Sequence, residues 1–303
     1  MVFKTTDDII ARVKNQKAAK RIVLAGGDYE LIVKAARMAQ ADGFVQPIYV
    51  GSREKITALL KAEGGDPDQE TIIDTREPTE SAFEAVRLVR EGKADGIIKG
   101  MMTTSQILKA VLNKETGLPH KKVITQASFY QLPSYHKLFV ICDGAIIPYP
   151  TFEQKIVQIE AITEMLRNVG YDEDIKIAVL CASEEISPKI TESVEAAELK
   201  RMNREDGAFK GCIVEGPIAL DIALVKSIAE KKGFKSEVAG DADVLLFPSL
   251  ASGNMVAKSF TCFGGAVGAG MVLGAGVPIS ITSRAATLKQ KYLSLALAAA
   301  TAK

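Results

Sequence analysis

The stretch DGIIKGMMTTS, from Asp95 to Ser105, decides how this chain is read. Ile97 and Ile98 make a short apolar run suited to a buried strand, Gly100 supplies a turn, and Thr103, Thr104 and Ser105 precede QILKAVL, which has helical spacing. A strand, a Gly/Ser/Thr turn and a helix in succession form the repeating unit of an α/β protein. Its Thr-Thr-Ser suits a helix cap, while Lys99 stands where a strand end faces an anion.

Outward from this stretch the same pattern recurs. Val- and Ile-rich runs alternate with helical segments: RIVLAGG, QPIYVG, TIIDT and DGIIKG before residue 101, then KVITQAS, KLFVICDG, IKIAVLCAS, GCIVEGP, DVLLFPS and PISITS. Alternating strands and helices predict a mostly parallel sheet covered on both faces. Between them, TFEQKIVQIEAITEMLRNVG places Ile156, Ile159, Ile162, Met165 and Leu166 at helical spacing, with Gly170 as a stop. At 303 residues the chain has length for two packed cores. The uncharged stretch Ser259 to Ser283 has the composition of a membrane span, but Gly276-Val277-Pro278 interrupts it. It reads instead as a buried glycine-rich helix running into a core strand.

Ligands of open α/β sheets gather beyond the carboxyl ends of the strands. That rule selects Gly26-Gly27, Lys99 to Ser105, Ser128, Asp143-Gly144, Glu215-Gly216-Pro217, Ser249 to Lys258 and Ser283-Arg284. The set is rich in hydrogen-bond donors and cations and suits an anionic ligand. Ser283-Arg284 ends the strand ITSR and opens the helix AATLKQKYLSLALAAATA. A helix N-terminus with an arginine fork favours negative charge; Ser283 and Thr287 are equally readable as plain capping groups. The run FPSLASGNMVAK, Phe247 to Lys258, repeats the design of the opening stretch.

Other chemistries are excluded by what the sequence lacks. No G-x-G-x-x-G follows the first strand, no G-x-x-x-x-G-K-[ST] occurs and no G-x-S-x-G elbow is present. His120 and His136 sit among basic and loop-like neighbours, which points to surface or packing roles. Net charge is +1 with scattered basic residues, so no nucleic-acid footprint exists. Cys142, Cys181, Cys212 and Cys262 show no metal-ligand spacing and read as buried, reduced thiols of a cytoplasmic protein. The acidic N-terminus MVFKTTDDII has no secretory core, and no membrane association is expected.

The order of motifs resembles the phosphate acetyl/butyryltransferase family, closest to its butyryl branch. The matching pieces are DGIIKGMMTTSQILKAVLNKETGLP, LFVICDGAIIPYPTFEQK, VEGPIALDIAL, GDADVLLFPSLASGNMVAKSF and ITSRAATLKQKYLSLALA. The resemblance implies two α/β/α domains of the isocitrate/isopropylmalate dehydrogenase type with a cleft between them: 1–140 with 270–303 as domain I, and 141–269 as domain II. It implies interconversion of short-chain acyl-CoA plus phosphate with acyl phosphate plus CoA, by direct thiol attack on the acyl phosphate carbonyl. CoA would be a substrate, and no cofactor or metal would be required. Arg284 would bind phosphate and Ser283 would donate to the reacting carbonyl. Lys99, Thr104, Asn254 and Lys258 would be further contacts to phosphate, acyl group or CoA.

One departure stands beside the match. The acetyl branch has an aspartate seven residues after the serine, where this chain has Gln290, and the butyryl branch usually reads Asp-Ser where this chain has Ala286-Thr287. The thiol's proton would then pass to Asp143, Glu215 or a water. The same loss motivates an alternative, a catalytically weakened module that senses acyl-CoA or acyl phosphate; a metal-dependent oxidoreductase would need a carboxylate cluster that the strand ends lack. A homodimer is expected from the resemblance and from the apolar last helix, LSLALAAATA.

Overall fold

The computed structural model describes residues 2–16, 18–118 and 120–302. Helices and strands alternate from the start: α1 (Thr6–Lys14), β1 (Lys20–Ala25), α2 (Glu30–Ala41), β2 (Val45–Gly51), α3 (Arg53–Ala62), β3 (Thr71–Asp74), α4 (Pro78–Arg90), β4 (Gly96–Lys99) and α5 (Thr104–Val111). There follow β5 (His120–Gln131), β6 (Phe139–Cys142), α6 (Phe152–Val169), β7 (Ile175–Leu180), α7 (Thr191–Arg204) and β8 (Cys212–Ile218). The remainder is α8 (Leu220–Leu224), α9 (Lys226–Lys231), β9 (Val244–Leu246), α10 (Leu250–Cys262), β10 (Val267–Ala275), β11 (Ile279–Ile281) and α11 (Leu288–Thr301). The α/β class with mostly parallel strands is as the alternation predicts. Each Val/Ile-rich run quoted above carries a strand, because a run buried on both faces leaves no room for polar alternation.

Two compact units result: Asp7–Ile124 with Ala269–Lys303, called here the terminal unit, and Met1–Thr6 with Thr125–Gly268, the central unit. In the terminal unit the strand order is β3-β2-β1-β4-β11-β10, parallel up to β11 and antiparallel between β11 and β10. The chain runs outward from β1 through β2 and β3, then returns to β4 on the other side of β1. The space beyond the carboxyl ends of β1 and β4 is therefore a topological switch point, the place where open α/β sheets bind ligands. There the backbones close up: Gly100 N–H donates to Ala25 O at 2.8 Å and Met101 N–H to Gly26 O at 3.2 Å.

In the central unit the order is β5-β6-β9-β7-β8, antiparallel between β5 and β6 and parallel beyond. Phe139, Ile141, Ala178, Leu180, Ile218, Leu245 and Phe247 fill one core there. In α6, Ile159, Ile162, Met165 and Leu166 are buried, and Gly170 ends the helix in the left-handed region at φ +105°, as its position predicts.

Three expectations are corrected. Residues 267–275 form strand β10 rather than the continuation of a helix. The glycines explain this: a Cβ on Gly268 would lie 2.4 Å from Phe129 O, and one on Gly274 2.4 Å from Val123 O, so the small residues serve close backbone approach across strands. Helix α11 is not an exposed apolar surface, because Tyr292, Leu293, Leu295 and Leu297 are all buried and the helix packs on α2, β11 and β4. Of the thiols only Cys142 and Cys212 are buried; Cys181 is half-buried, and Cys262 is exposed at the end of α10. His136 stands at the surface and pairs with Asp241 at 2.8 Å; the side chain of His120 lies outside the described residues. Among the described residues no helix is long and apolar enough to cross a membrane.

The switch-point contact yields a stability prediction. A Cβ on Gly100 would fall 2.0 Å from Gly26 O, a backbone atom that cannot rotate away. At Gly207, with φ +67°, the added Cβ meets nothing within 4 Å. Gly100→Ala should therefore lose more stability in urea unfolding than Gly207→Ala, whose cost is only the left-handed backbone, about 1–2 kcal/mol. Equal losses would show that β1 and β4 are not locked at this point.

Candidate functional site

In the terminal unit, Lys99 is the last residue of β4 and Ser283-Arg284 follow the last residues of β11. The two strands are parallel, with Ile279 beside Ile97 and Ser280 beside Ile98, so Lys99 leaves the sheet next to Ile281. Ser283 and Arg284 are exposed. They occupy a turn: Ala286 N–H donates to Ser283 O at 3.1 Å, and Ala285 N–H to Ser283 Oγ at 3.2 Å. Helix α11 starts only at Leu288, which corrects the expectation that Ser283-Arg284 opens it directly. The cap is Thr287, and it forms a reciprocal box with Gln290. Gln290 Oε1 accepts from Thr287 N–H at 2.9 Å, so the residue at the family's aspartate position is occupied in capping. The box leaves Ser283 free of any capping duty.

The opening stretch behaves similarly. Thr103 caps α5, with its hydroxyl accepting from Gln106 N–H at 3.2 Å and Gln106 Oε1 accepting from Thr103 N–H at 2.8 Å. Thr104 is the first helical residue and forms no capping bond. Lys99 is 3% exposed, and its amine donates to the carbonyls of Gly100 at 3.3 Å and Met102 at 3.0 Å.

The structure adds one residue to this group. Lys291, on the first turn of α11, is 0% exposed. Its Nζ donates to Thr282 Oγ1 at 2.8 Å and to the carbonyl of Ser283 at 3.3 Å, which ties the helix back to the strand end and the turn. Burial, and then the nearby Arg284 guanidinium, push the Lys99 amine down to about 8. Burial, and then Lys99, push Lys291 down to about 8 as well. Both amines hydrogen-bond only to neutral oxygens, and the charges that act on them are cations. No sequence motif singles out Lys291; the apolar run YLSLALAAAT that follows it is the one local hint, because a cation carried by a buried helix is itself drawn into the interior.

In the central unit, Asp143 follows β6 after a cis peptide bond from Cys142. It is 2% exposed and accepts from Thr125 Oγ1 at 2.8 Å and from the N–H groups of Gln126, Ala145, Ile146 and Ile147 at 3.1, 2.7, 2.9 and 3.2 Å. Its oxygens thus organise the loop that leaves β6. Asn254, on α10, donates from Nδ2 to Gly144 O at 2.9 Å, fastening the same loop. Gly253 permits that contact, since a Cβ there would lie 2.6 Å from Asp143 O. Lys258 lies one turn further along the helix and is exposed. Asp143 and Asn254 are therefore grouped at the ends of the parallel neighbours β6 and β9, while Lys258 is carried further along α10.

Glu215 stands apart from them on the edge strand β8. It is 1% exposed, with Lys200 Nζ at 2.5 Å from one oxygen and Arg204 at 2.9 Å from the other. Those partners fasten α7 to the sheet edge. Among the described residues no group of three His, Cys, Asp or Glu side chains is arranged to hold a metal ion. The arrangement that remains is a cluster of hydrogen-bond donors at the carboxyl ends of β4 and β11, with an exposed hydroxyl and guanidinium near two buried amines.

Comparisons with known proteins bear on this site. The family model described as phosphate acetyl/butaryl transferase matches residues 75–299. The phosphate butyryltransferase of Clostridium acetobutylicum is 35% identical over 298 residues, covering 98% of both chains. A phosphate acetyltransferase of Rickettsia felis is 35% identical over 291 residues, covering 96% of this chain and 83% of the relative. The crystal structure of a branched-chain phosphotransacylase from Enterococcus faecalis V583 superposes with a TM-score of 0.79 at 28% identity, covering 93% of this chain and 98% of the other. On the family model and the near full-length identity together, this chain belongs to the phosphate acetyl/butyryltransferase family.

Proposed function

We propose that this chain is a phosphate acyltransferase that interconverts a short-chain acyl-CoA plus phosphate with the acyl phosphate plus CoA. The observation that carries the reading is the set of cations at the ends of β4 and β11: Lys99 and Lys291 are buried there on neutral acceptors, and burial, then a neighbouring cation (Arg284 for Lys99, Lys99 for Lys291), lowers each amine. Such a set attracts a multiply charged anion, and the reaction supplies one in both directions. The Arg284 fork can take two phosphate oxygens. Ser283, exposed in the turn beside it, is suited to donate to the carbonyl oxygen as negative charge develops there. Thr104, Asn254 and Lys258 are further contacts to phosphate, acyl group or CoA.

In the thioester-forming direction the CoA sulfur attacks the carbonyl carbon, the C–S bond forms, and the C–O bond to phosphate breaks. Charge and proton balance when the acyl phosphate dianion and the thiol give thioester and hydrogen phosphate: the proton lost by sulfur is the one the product phosphate carries. Asp143 and Glu215 are poorly placed as intermediaries, since the first already holds four backbone N–H groups and a hydroxyl, and the second holds Lys200 and Arg204. A thiol near ~8.5 is already a few per cent thiolate at neutral pH, so water can serve as the carrier. The family resemblance extends the proposal to a homodimer in the cytoplasm.

An assay of purified protein with acetyl-, propionyl-, butyryl- and isobutyryl-CoA, reading free thiol, tests the activity; thiol release independent of added phosphate would overturn it. Ser283→Ala should lower kcat by about 10²–10³-fold. Arg284→Ala should raise the KM for phosphate by roughly 10- to 100-fold, matching the ~1.5–3 kcal/mol of a hydrogen bond to a charged group. For Glu215→Gln the expected loss is in thermal stability, with kcat per folded molecule within about twofold of the parent; a drop of more than about 10²-fold would restore Glu215 as a base.

A further inference from the structure

Two amines, Lys99 and Lys291, are buried within electrostatic reach of each other in the terminal unit, and among the described residues their acceptors are neutral: the carbonyls of Gly100, Met102 and Ser283 and the hydroxyl of Thr282. Elsewhere the chain treats buried cations differently. Lys137 is paired with Asp241 at 2.9 Å and with Asp243 at 2.6 Å, and Lys155 is paired with Glu195. An ion removed from water is expensive unless a counter-charge accompanies it. Lys99 and Lys291 lack one, and what stands in front of them is the exposed Ser283-Arg284 turn.

Among the described residues the hydrogen bonds of the two amines include no carboxylate, and beyond the carboxyl end of β1 Asp28 lies 3.8 Å from Lys55 while Glu30 stands on the first turn of α2. On β4 and the β11–α11 turn the charged neighbours are Lys99 and Arg284 themselves. At the end of α2, Asp42 is taken by Lys14 and by the hydroxyl of Tyr292. On β1, Lys20 and Arg21 lie at the amino end of the strand, and Arg21 is held by Asp95. On α4, Glu84 and Glu91 hold Arg87. At the end of β11 the two nearest polar side chains are the hydroxyls of Thr282 and Ser283.

We propose that the phosphate taken by this site is the missing counter-ion of the Lys99–Lys291 pair, so that phosphate binding is coupled to proton uptake by the two buried amines. The proposal rests on reading the site as the phosphate site of the acyl transfer. Lys291, fully enclosed, does not touch the ligand: it is a positioning residue that holds the Thr282–Ser283 backbone while lending its charge from behind. Without an anion, each amine is half-protonated near pH 8. A bound dianion favours the charged form and raises both values, so protons enter on binding at pH near and above 8. Well below that value the amines are already charged and take up none. Phosphate affinity consequently falls as pH rises through this region.

Titration calorimetry of the full chain near pH 8, in two buffers of different ionisation enthalpy, measures the protons exchanged. With inorganic phosphate alone, uptake on the order of half a proton or more per bound phosphate is expected, and with CoA alone none is expected. Lys291→Met, which keeps the length and removes the charge, should reduce the uptake and weaken phosphate binding near neutral pH by about tenfold. Phosphate binding with no buffer-dependent heat overturns the coupling while leaving the acyltransferase reading intact. Uptake with CoA but not with phosphate also overturns it, by assigning the amines to a CoA phosphate. Absence of any phosphate binding sinks the reading of the site itself. The wild-type measurement decides even if the variant fails to fold.

Discussion

The terminal unit is organised around two buried amines, Lys99 and Lys291, whose hydrogen-bond partners among the described residues are all neutral. Lys99 and Lys291 sit behind the turn that carries Ser283 and Arg284, and removing two ammonium groups from water costs several kcal/mol each before any compensation. Backbone carbonyls at the strand ends repay part of this, and the rest of the unit must hold the groups in place against their repulsion. Helix α11 does so by burying Tyr292, Leu293, Leu295 and Leu297 against the sheet and α2. The Thr287–Gln290 box fixes where that helix starts, and the Gly26–Gly100 approach fixes where β4 stops relative to β1. Position 291 therefore reaches Thr282 because three separate local devices agree.

The central unit handles charge in the reverse way, by satisfying its buried acids internally. Asp143 is wrapped by the N–H groups of its own loop, Glu215 is held by Lys200 and Arg204 on α7, and Asp243 lies against Lys137, the Tyr171 hydroxyl and the N–H of Lys176. A carboxylate with that many donors is a structural element, because its acceptor sites are already used to hold a loop, a helix or a strand in place. This leaves both Asp143 and Glu215 engaged by protein donors.

Much of this was legible before the coordinates. The Val/Ile runs located their strands because burial on both faces imposes an uninterrupted apolar run, and Thr103, Gly170 and Thr287 mark helix boundaries by capping chemistry that depends only on local sequence. Strand β10 escaped notice because its VGAGMVLGA is rich in glycine, which strand propensity penalises; the glycines are there for contacts with Phe129 and Val123, distant in sequence. At the site, Ser283, Arg284 and Lys99 were visible from their places at strand ends. What no local rule could give is which acids are already occupied: the partners of Glu215 lie on another element, and those of Asp143 depend on how the loop folds back. Lys291 was hidden by its neighbours, since a lysine early in an amphipathic helix normally reads as solvated until the opposite face is known to be buried.

The choice of lysine at 291 follows from the same electrostatics. An arginine there would remain charged at every accessible pH, and the unliganded site would then carry a permanent buried cation next to Lys99 and Arg284. A lysine amine can release its proton when no anion is present, which relieves the repulsion among the three groups, and can regain it when a dianion arrives. Lys99 has the same freedom, whereas Arg284, exposed to water, has no burial cost to escape. The distribution of residue types thus follows depth: the permanently charged fork faces solvent, and the titratable amines are buried. Under the proposed coupling, affinity for the transferred anion is tied to the protonation of both amines, and Lys291 takes part without touching the anion, held in register by a helix whose buried face is apolar.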